Sequence, residues 1–517
     1  MSDPEPRLAR FGPAAAALAT FVLHAACGGR YGIFRDELYF LVAGQRLGTG
    51  YVDQPPGIAL VARLAHALFG TWVPGLRLLP WIAAAATVYV AGRLAARLAG
   101  GGRTSGAAAT IAAVATFACL VLRGTSHMLT MNAFEPLLLV SLVLVLVRLA
   151  EGEDRRLWVA AAGLAGLAVL TKYSSAAVVL ALLLGFLVTP ARRALWSRWA
   201  LAGAAFGVLI VLPNFLWQAA HGFPFLELVR NGLAHKNVVL SPLEFWGGVL
   251  LEANPGNAPI YLGGLAWLIF SGPAPGARAG RFAGIGLLVH LLALTFGDAK
   301  PYYAAAILPA LLAAGGAAFA RVVPIRTVQL AYCAVLAASA LVLAPFAVPI
   351  LPVKSFLAYQ EAIGIRAGAT ERHQQSVLPQ TYADMHGWHE LVEGVARVYR
   401  SLPLETRAGV AVYGSNYGVA SAVEILGPEH GLPRGLAFSG HNQFWFWGLP
   451  AGRGDPLIVV GSPQDDDCGG LYEESETALQ LPRTPYVMPY EDAHTLILCR
   501  GAREPLTGIP TMLRHFE

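Results

Sequence analysis

Two carboxylates stand side by side at Asp36-Glu37, and a third follows in Asp53-Gln54-Pro55-Pro56. Further on come Arg77-Leu78-Leu79-Pro80, Glu135, Lys172 and Lys300. A carboxylate placed against a hydroxyl can take its proton and act as a general base. A lysine or arginine meets anions. Carboxylates that converge with hydroxyls suit Mg²⁺ or Mn²⁺, but no compact ligand spacing is present here, so an essential metal is not expected. The Pro-Pro pair enforces an extended kink after Asp53. An ordinary solvated loop would account for one carboxylate and accounts poorly for the whole set.

These groups are conspicuous because charge is scarce. The chain has 517 residues, 56% hydrophobic and only 13% charged, about half the usual charged share of a soluble protein. That excludes a disordered chain, a nucleic-acid binder and an ordinary cytosolic enzyme. The charges are also unevenly spread. Residues 1–350 carry 25 basic and 13 acidic side chains, a balance of +12; residues 351–517 carry 12 and 19, a balance of −7. The expected organisation is a membrane domain over 1–350 and an α/β domain over 351–517.

Apolar runs fit to span a bilayer lie at about 11–28, 75–98, 106–122, 133–150, 156–171, 174–189, 199–217, 258–271, 281–297, 301–320 and 327–350. The first reads as a retained helix, since no cleavage-site pattern follows it. Alternate loops carry Arg7 and Arg10; Arg93, Arg97 and Arg103; Arg148, Arg155 and Arg156; Arg192, Arg193 and Arg198; Arg278 and Arg281; and Arg321 and Arg326, with no lysine. The positive-inside tendency makes that face cytoplasmic, the N-terminus inside and the C-terminal domain outside. The long loops 29–74 and 218–257 then face outward, with all four lysines: Lys172, Lys236, Lys300 and Lys354. The loop-tip pair Lys172 and Lys300 either snorkels or meets an anion at the outer membrane surface.

Beyond Leu351, residues 386–401 have helical spacing, and 409–413, 435–439, 456–461 and 495–499 read as short strands. A helix over Asn416–Gly427 completes a small α/β pattern. The aromatic stretch His441–Gly448 (HNQFWFWG) is either core and turn or a surface for lipid or glycan. Cys468 and Cys499 are a candidate disulfide in an oxidising compartment; Cys27, Cys119 and Cys333 read as apolar helix residues.

The combination DExxF after the first span, DxPP and RxxP entering the second resembles the protein O-mannosyltransferase and aminoarabinose-transferase group, glycosyltransferase family 39 and its bacterial relatives. His127, Asn132-Ala133-Phe134-Glu135-Pro136, Leu170-Thr171-Lys172-Tyr173-Ser174, Lys300-Pro301-Tyr302-Tyr303 and the HNxxWxWG-like tail stretch extend the likeness over most of the chain. The resemblance implies a C-type membrane glycosyltransferase fold of about eleven spans, with juxtamembrane helices in a long first outer loop. It also implies inverting transfer of a sugar from a polyprenyl-phosphate donor to a hydroxyl of a lipid, glycan or protein on the outer face of a bacterial inner membrane.

The chemistry of that reaction suits these residues. A hydroxyl nucleophile needs a base, and a departing phosphate needs cations where charge develops. On the motif match Asp36 is the base and Glu37, whose side chain diverges from it, the second choice. Asp53 orients the loop or contacts the sugar. Glu135 matches an acidic position where relatives often carry Asp. Arg77, Lys172 and Lys300 are phosphate candidates. His127, Asn132, Tyr302 and Tyr303 are candidate substrate contacts, with a satisfied interfacial histidine and an aromatic belt as the plainer readings of His127 and the tyrosines. The tail shows no threefold β-trefoil repeat, which leaves lipid and envelope-glycan acceptors at least level with protein. A flippase of lipid-linked sugars, or a non-catalytic envelope assembly protein, is the alternative; the former predicts inverted repeats and broken helices at mid-membrane, whereas no half-to-half repeat is visible and the charges cluster at one face.

Overall fold

The computed structural model describes residues 8–271, 275–365, 372, 374–461, 468, 470–504 and 508–517, so Arg7 of the basic set lies outside them. Each expected apolar run contains a helix: Leu8–Cys27, Leu78–Leu98, Gly102–Ala118, Met131–Ala150, Leu157–Thr171, Ser175–Val188, Arg198–Ala220, Ala258–Phe270, Pro275–Phe296, Leu308–Val322 and Arg326–Ala347. Among the described residues four are long and apolar enough to cross a bilayer unaided, and a fifth crossing is a broken pair. The rest are shorter.

Two runs differ from a plain helix. The third bends by 63° at Cys119 and continues as Leu120–Ser126. The tenth starts as a 3-10 turn, Pro301–Ala306, before Leu308–Val322. Pro309 lacks the N–H that would bond back into the turn and join the two into one helix, and it sits instead in the first turn of the second segment.

What holds the bundle together is small side chains. Gly264 and Gly315 bring their helices so close that a methyl on Gly264 would strike the Gly315 backbone. Such close approach is how helices gain packing energy in lipid, where apolar burial itself gains little. Outward, Leu201, Val208, Leu209, Phe215 and Leu216 of Arg198–Ala220 are exposed, and only 11% of that helix's apolar window lies inside the protein. A contiguous apolar surface of this kind suits lipid and not water.

The C-terminal region builds a five-stranded sheet from β1 (Ala411–Gly414), β2 (Ala437–Phe438), β3 (Leu457–Gly461), β4 (Tyr472–Gln480) and β5 (Thr495–Ala502). The order is β2-β1-β3-β5-β4. β1 runs parallel to β2 and β3; β5 is antiparallel to β3 and β4, with Ile458 opposite Leu498. β4 is absent from the sequence reading. Its residues YEESETALQ are nearly all exposed, and it is an edge strand protected by charge, so the alternating apolar signal is missing. Cys468 and Cys499 are joined, with Cα atoms 6.2 Å apart, tying the chain before β4 to β5.

The first outer loop does not stand apart from this sheet. The helix Arg35–Gln45 is buried from Glu37 to Gly44. Its Leu38, Leu41 and Val42 share one core with Leu391 and Val395 of the helix Trp388–Ser401, Val419 and Val423 of Tyr417–Leu426, and Ile458 and Leu498 of the sheet. A short helix apolar all round must be buried on every side, and here the C-terminal region supplies the cover. The stretch His441–Gly448 contains a short helix, Gln443–Trp447, whose rings pack on Tyr39 and Tyr51 of the loop. Its partner is thus the outer loop.

Candidate active site

Asp36 and Glu37 occupy the first turn of Arg35–Gln45, and successive positions on a helix point about 100° apart. The consequence is complete separation of the two carboxylates. Glu37 is fully buried and takes Arg77 in a two-pronged pair: Nε to Oε1 at 2.8 Å and Nη2 to Oε2 at 2.7 Å. The same carboxylate accepts the backbone N–H of Phe34 and of Leu129, both at 2.8 Å. Arg77 also donates to the carbonyls of Gly28 (2.9 Å) and Gly32 (2.7 Å). The expectations for these two residues need correction: Glu37 is turned away from any acceptor hydroxyl, and Arg77 is spent on Glu37 and two carbonyls, with no exposed edge for a phosphate. Their pair ties the start of the loop to the entry of the second span and to the Leu129 turn.

Asp36 faces the opposite way. Its side chain is 34% exposed. It accepts one hydrogen bond, 2.8 Å from the hydroxyl of Tyr417, and its nearest cation, Arg35 Nε, is 3.8 Å off. Asp53 lies close enough for its charge and that of Asp36 to repel. Asp53 accepts the hydroxyl of Tyr39 at 2.9 Å. Burial pushes the Asp53 carboxyl up to about 7; the Tyr39 hydrogen bond draws it down, the charge of Asp36 adds to the rise, and Lys236 nearby lowers it. The rings of Tyr39 and Tyr417 pack at 4.8 Å, so both carboxylates rest on one aromatic floor.

The DxPP segment sits where it does because of its neighbours. Val52 N–H donates to Gln443 Oε1 at 2.9 Å, and Gln218 donates to the Tyr51 carbonyl (2.8 Å) and the Tyr173 hydroxyl (2.9 Å). Gly57, just after Pro56, lies on the Leu170 carbonyl, where any side chain would collide. The carboxylate loop therefore abuts the tip that carries Lys172.

That tip gathers most of the remaining candidates. Lys172 Nζ donates to Asn132 Oδ1 at 2.7 Å and stands 3.4 Å from Glu135 Oε2. It also lies 5.4 Å and 4.7 Å from the ring centres of Tyr302 and Tyr303, a cation–π arrangement. Glu135 accepts the hydroxyls of Ser174 (3.0 Å) and Ser175 (2.8 Å). Lys300 caps the turn that presents the two tyrosines. His127 belongs elsewhere: it is buried, its Nδ1 3.3 Å from His24 Nδ1, and its ring stacks against Trp81. Its Nε2 has no hydrogen-bond partner among the described residues, so it is buried without being fully satisfied.

The four acidic residues considered together as metal ligands do not converge, because Glu37 is held by Arg77 and Glu135 by Lys172 and two serines. Among the described residues no group of three or more His, Cys, Asp or Glu side chains is placed to hold a metal ion. Four contributors are absent from the sequence reading of the site: Tyr39, Tyr417, Gln443 and Lys236. Tyr39 lies inside the DExxF stretch and carried a local signal. Gln443 lies inside the aromatic stretch His441–Gly448, whose partner no local pattern gives, and Tyr417, also from the far end of the chain, carried no site signal.

The arrangement is two outer-loop carboxylates, one open and one buried with its carboxyl pushed up to about 7, next to a surface of lysines and tyrosines. It can remove a proton from a hydroxyl and receive an anionic leaving group.

A family model described as dolichyl-phosphate-mannose-protein mannosyltransferase matches residues 53–217. No curated protein matches the chain. Among solved structures, ArnT from Cupriavidus metallidurans in the apo state is similar, with TM-score 0.58 and 18% identity over 94% of this chain and 96% of that one. The same protein bound to undecaprenyl phosphate gives TM-score 0.56 and 16% identity, over 94% and 97%. At such identity the likeness is one of fold: the chain has the C-type membrane glycosyltransferase fold.

Proposed function

We propose that this protein is an integral-membrane glycosyltransferase. It moves a sugar from a polyprenyl-phosphate donor to a hydroxyl of a cell-envelope lipid, glycan or protein. The observation that carries the reading is Asp36, an open carboxylate beside Asp53 at the end of a fold shared with a protein crystallised with undecaprenyl phosphate.

In this reading Asp36 takes the proton of the acceptor hydroxyl as the oxygen attacks the anomeric carbon. The bond from that carbon to the phosphate oxygen breaks in the same step, and the anomeric centre inverts. The phosphate leaves with both electrons and becomes a dianion. Lys172 and Lys300 lie at the tip beside the carboxylate loop and meet that growing charge. Asp53, carrying its proton near neutral pH, is suited to donate a hydrogen bond to a sugar hydroxyl. The arginine distribution supports a reading with this face outside the cytoplasm, and the Cys468–Cys499 disulfide fits an oxidising compartment.

The test is transfer itself. The purified full chain in lipid vesicles is given undecaprenyl-phosphate mannose or undecaprenyl-phosphate aminoarabinose, tritiated in the sugar, with envelope lipids, polysaccharide or peptide as acceptors. Label is expected in one acceptor class, and to be lost in Asp36→Asn. Undiminished transfer by Asp36→Asn would remove the base assignment; movement of labelled lipid across the vesicle without transfer would favour the flippase. Lys172→Gln and Lys300→Gln should each weaken binding of undecaprenyl phosphate, and unchanged affinity in both would defeat the phosphate role.

A further inference from the structure

The C-terminal region does more than cover the outer loop. It grips the first turn of Arg35–Gln45 at Arg35 and Asp36. Arg35 N–H donates to the Asp384 carbonyl at 3.0 Å, its Nη2 lies 3.4 Å from Asp384 Oδ2, and its Nη1 donates to the Tyr490 hydroxyl at 2.7 Å. The next residue is Asp36, and its hydrogen bond comes from Tyr417, 381 positions away.

Tyr417 is itself fixed. It is the first residue of the helix Tyr417–Leu426, whose N-cap Asn416 accepts the N–H of Gly418 and Val419. The Asn416 amide donates to Glu491 at 3.0 Å. The Tyr417 ring is wedged between Tyr39, His441 and the Arg35 guanidinium. Any side chain on Gly418 would press on the Arg35 stem, so the helix start lies flat against the loop. Burial holds the phenol well above its ordinary range, so the hydroxyl stays a donor throughout the working pH range.

We infer that Tyr417 is a positioning residue for the transfer reaction: its hydroxyl holds the Asp36 carboxylate in the orientation that meets the acceptor, so that the C-terminal domain completes the active site. This rests on the role of Asp36 given under Proposed function. The physical need is clear in the geometry. Asp36 is partly exposed, has no cation within hydrogen-bonding distance, and has two rotatable bonds. Without a partner it samples several rotamers, and a base displaced by about 1 Å loses rate on the order of 10²-fold. A phenol donor fixes one oxygen and leaves the other for the acceptor. A carboxylate held by a bidentate arginine, as Glu37 is, would have neither oxygen free.

The experiment compares the full chain with Tyr417→Phe, Asp36→Asn and the double variant, using undecaprenyl-phosphate mannose tritiated in the sugar, and solves each variant by cryo-electron microscopy. Tyr417→Phe keeps the ring and its packing. It is expected to lower kcat by about 10- to 100-fold, with KM for the donor within about twofold. Because Tyr417 acts through Asp36, the double variant should be no slower than Asp36→Asn alone. In the Tyr417→Phe structure the Asp36 carboxylate should leave its present rotamer. Retention of kcat within about twofold, effects that multiply in the double variant, or an Asp36 side chain unmoved by loss of the hydroxyl would each overturn the inference. Transfer that survives Asp36→Asn would instead overturn the base assignment. If the wild-type chain transfers no sugar from this donor, the structural readout still decides whether the hydroxyl orients Asp36.

Discussion

Asp36 and Glu37 are neighbours of nearly the same chemistry with opposite fates. Glu37 has a buried arginine, two backbone N–H donors and no water. Asp36 has one phenol and an open side. A buried charge is tolerable only when paired and fully hydrogen-bonded, so Glu37 had to be saturated and is thereby removed from chemistry. Asp36, near water, can afford an unfilled acceptor, and an unfilled acceptor is what a base requires. The lesson is that charge at a membrane boundary does not by itself mark a catalytic group; the number of partners it has already taken does.

Substitutions can break this contrast in a definite order. The largest effect on function is expected from Asp36→Asn, which should reduce transfer by about 10²- to 10⁴-fold while leaving the apparent melting temperature in detergent unchanged. Glu37→Gln should do the reverse in kind. Removing one partner of a buried pair costs about 3–5 kcal/mol, read as a large fall in melting temperature and in yield of folded protein. If Glu37→Gln melts like wild type yet is inactive, the division of labour between the two residues is wrong.

A smaller loss is expected from Leu41→Ala. Leu41 is fully buried between the outer loop and the C-terminal domain, and such a truncation costs about 2–5 kcal/mol. Because the carboxylates hang on this shared core, transfer should fall along with stability. Next comes a pH effect. Burial raises the Asp53 carboxyl to about 7, so the folded chain keeps that proton where the unfolded chain has released it. The stability this contributes is fully present below about pH 4 and is lost as pH rises through about 7. Melting temperature plotted against pH should therefore slope less in Asp53→Asn across that window, and an identical slope would refute the buried, protonated Asp53. The smallest effect is expected at Arg514–Glu227, the same ion pair chemistry at the surface. Arg514→Ala should cost about 0–1 kcal/mol, against several for Arg77 and Glu37.

How much of this was legible in the chain follows from where each signal lies. Apolar runs are continuous in sequence, so each of the eleven contains a helix, although the third bends at Cys119 and the tenth opens as a 3-10 turn. The buried strands β1, β3 and β5 are short apolar runs and were equally visible. β4 was not, because an exposed, charged edge has no apolar period. The site divides in the same way. Asn132, Glu135, Lys172, Tyr302 and Tyr303 are legible through the motifs of the resemblance, and they stand together at one tip. Glu37 as second-choice base and Arg77 as phosphate candidate are each legible as charged groups, but nothing local says that an arginine forty residues on will close over the second carboxylate. Tyr417 and Gln443 reach the loop across 381 and 391 residues, beyond any local pattern.

The sequence by itself determined where the apolar helices fall and in what order, the α/β character of the tail, and a short list of residues able to do chemistry. These depend on side-chain type and on periods of a few residues. Tertiary structure alone decided which carboxylate is free, because freedom to react depends on hydrogen-bond partners, and those partners come from distant parts of the chain. It also joined the outer loop to the C-terminal sheet in one core, since a helix buried on all sides can find its cover only after the chain has folded back over it.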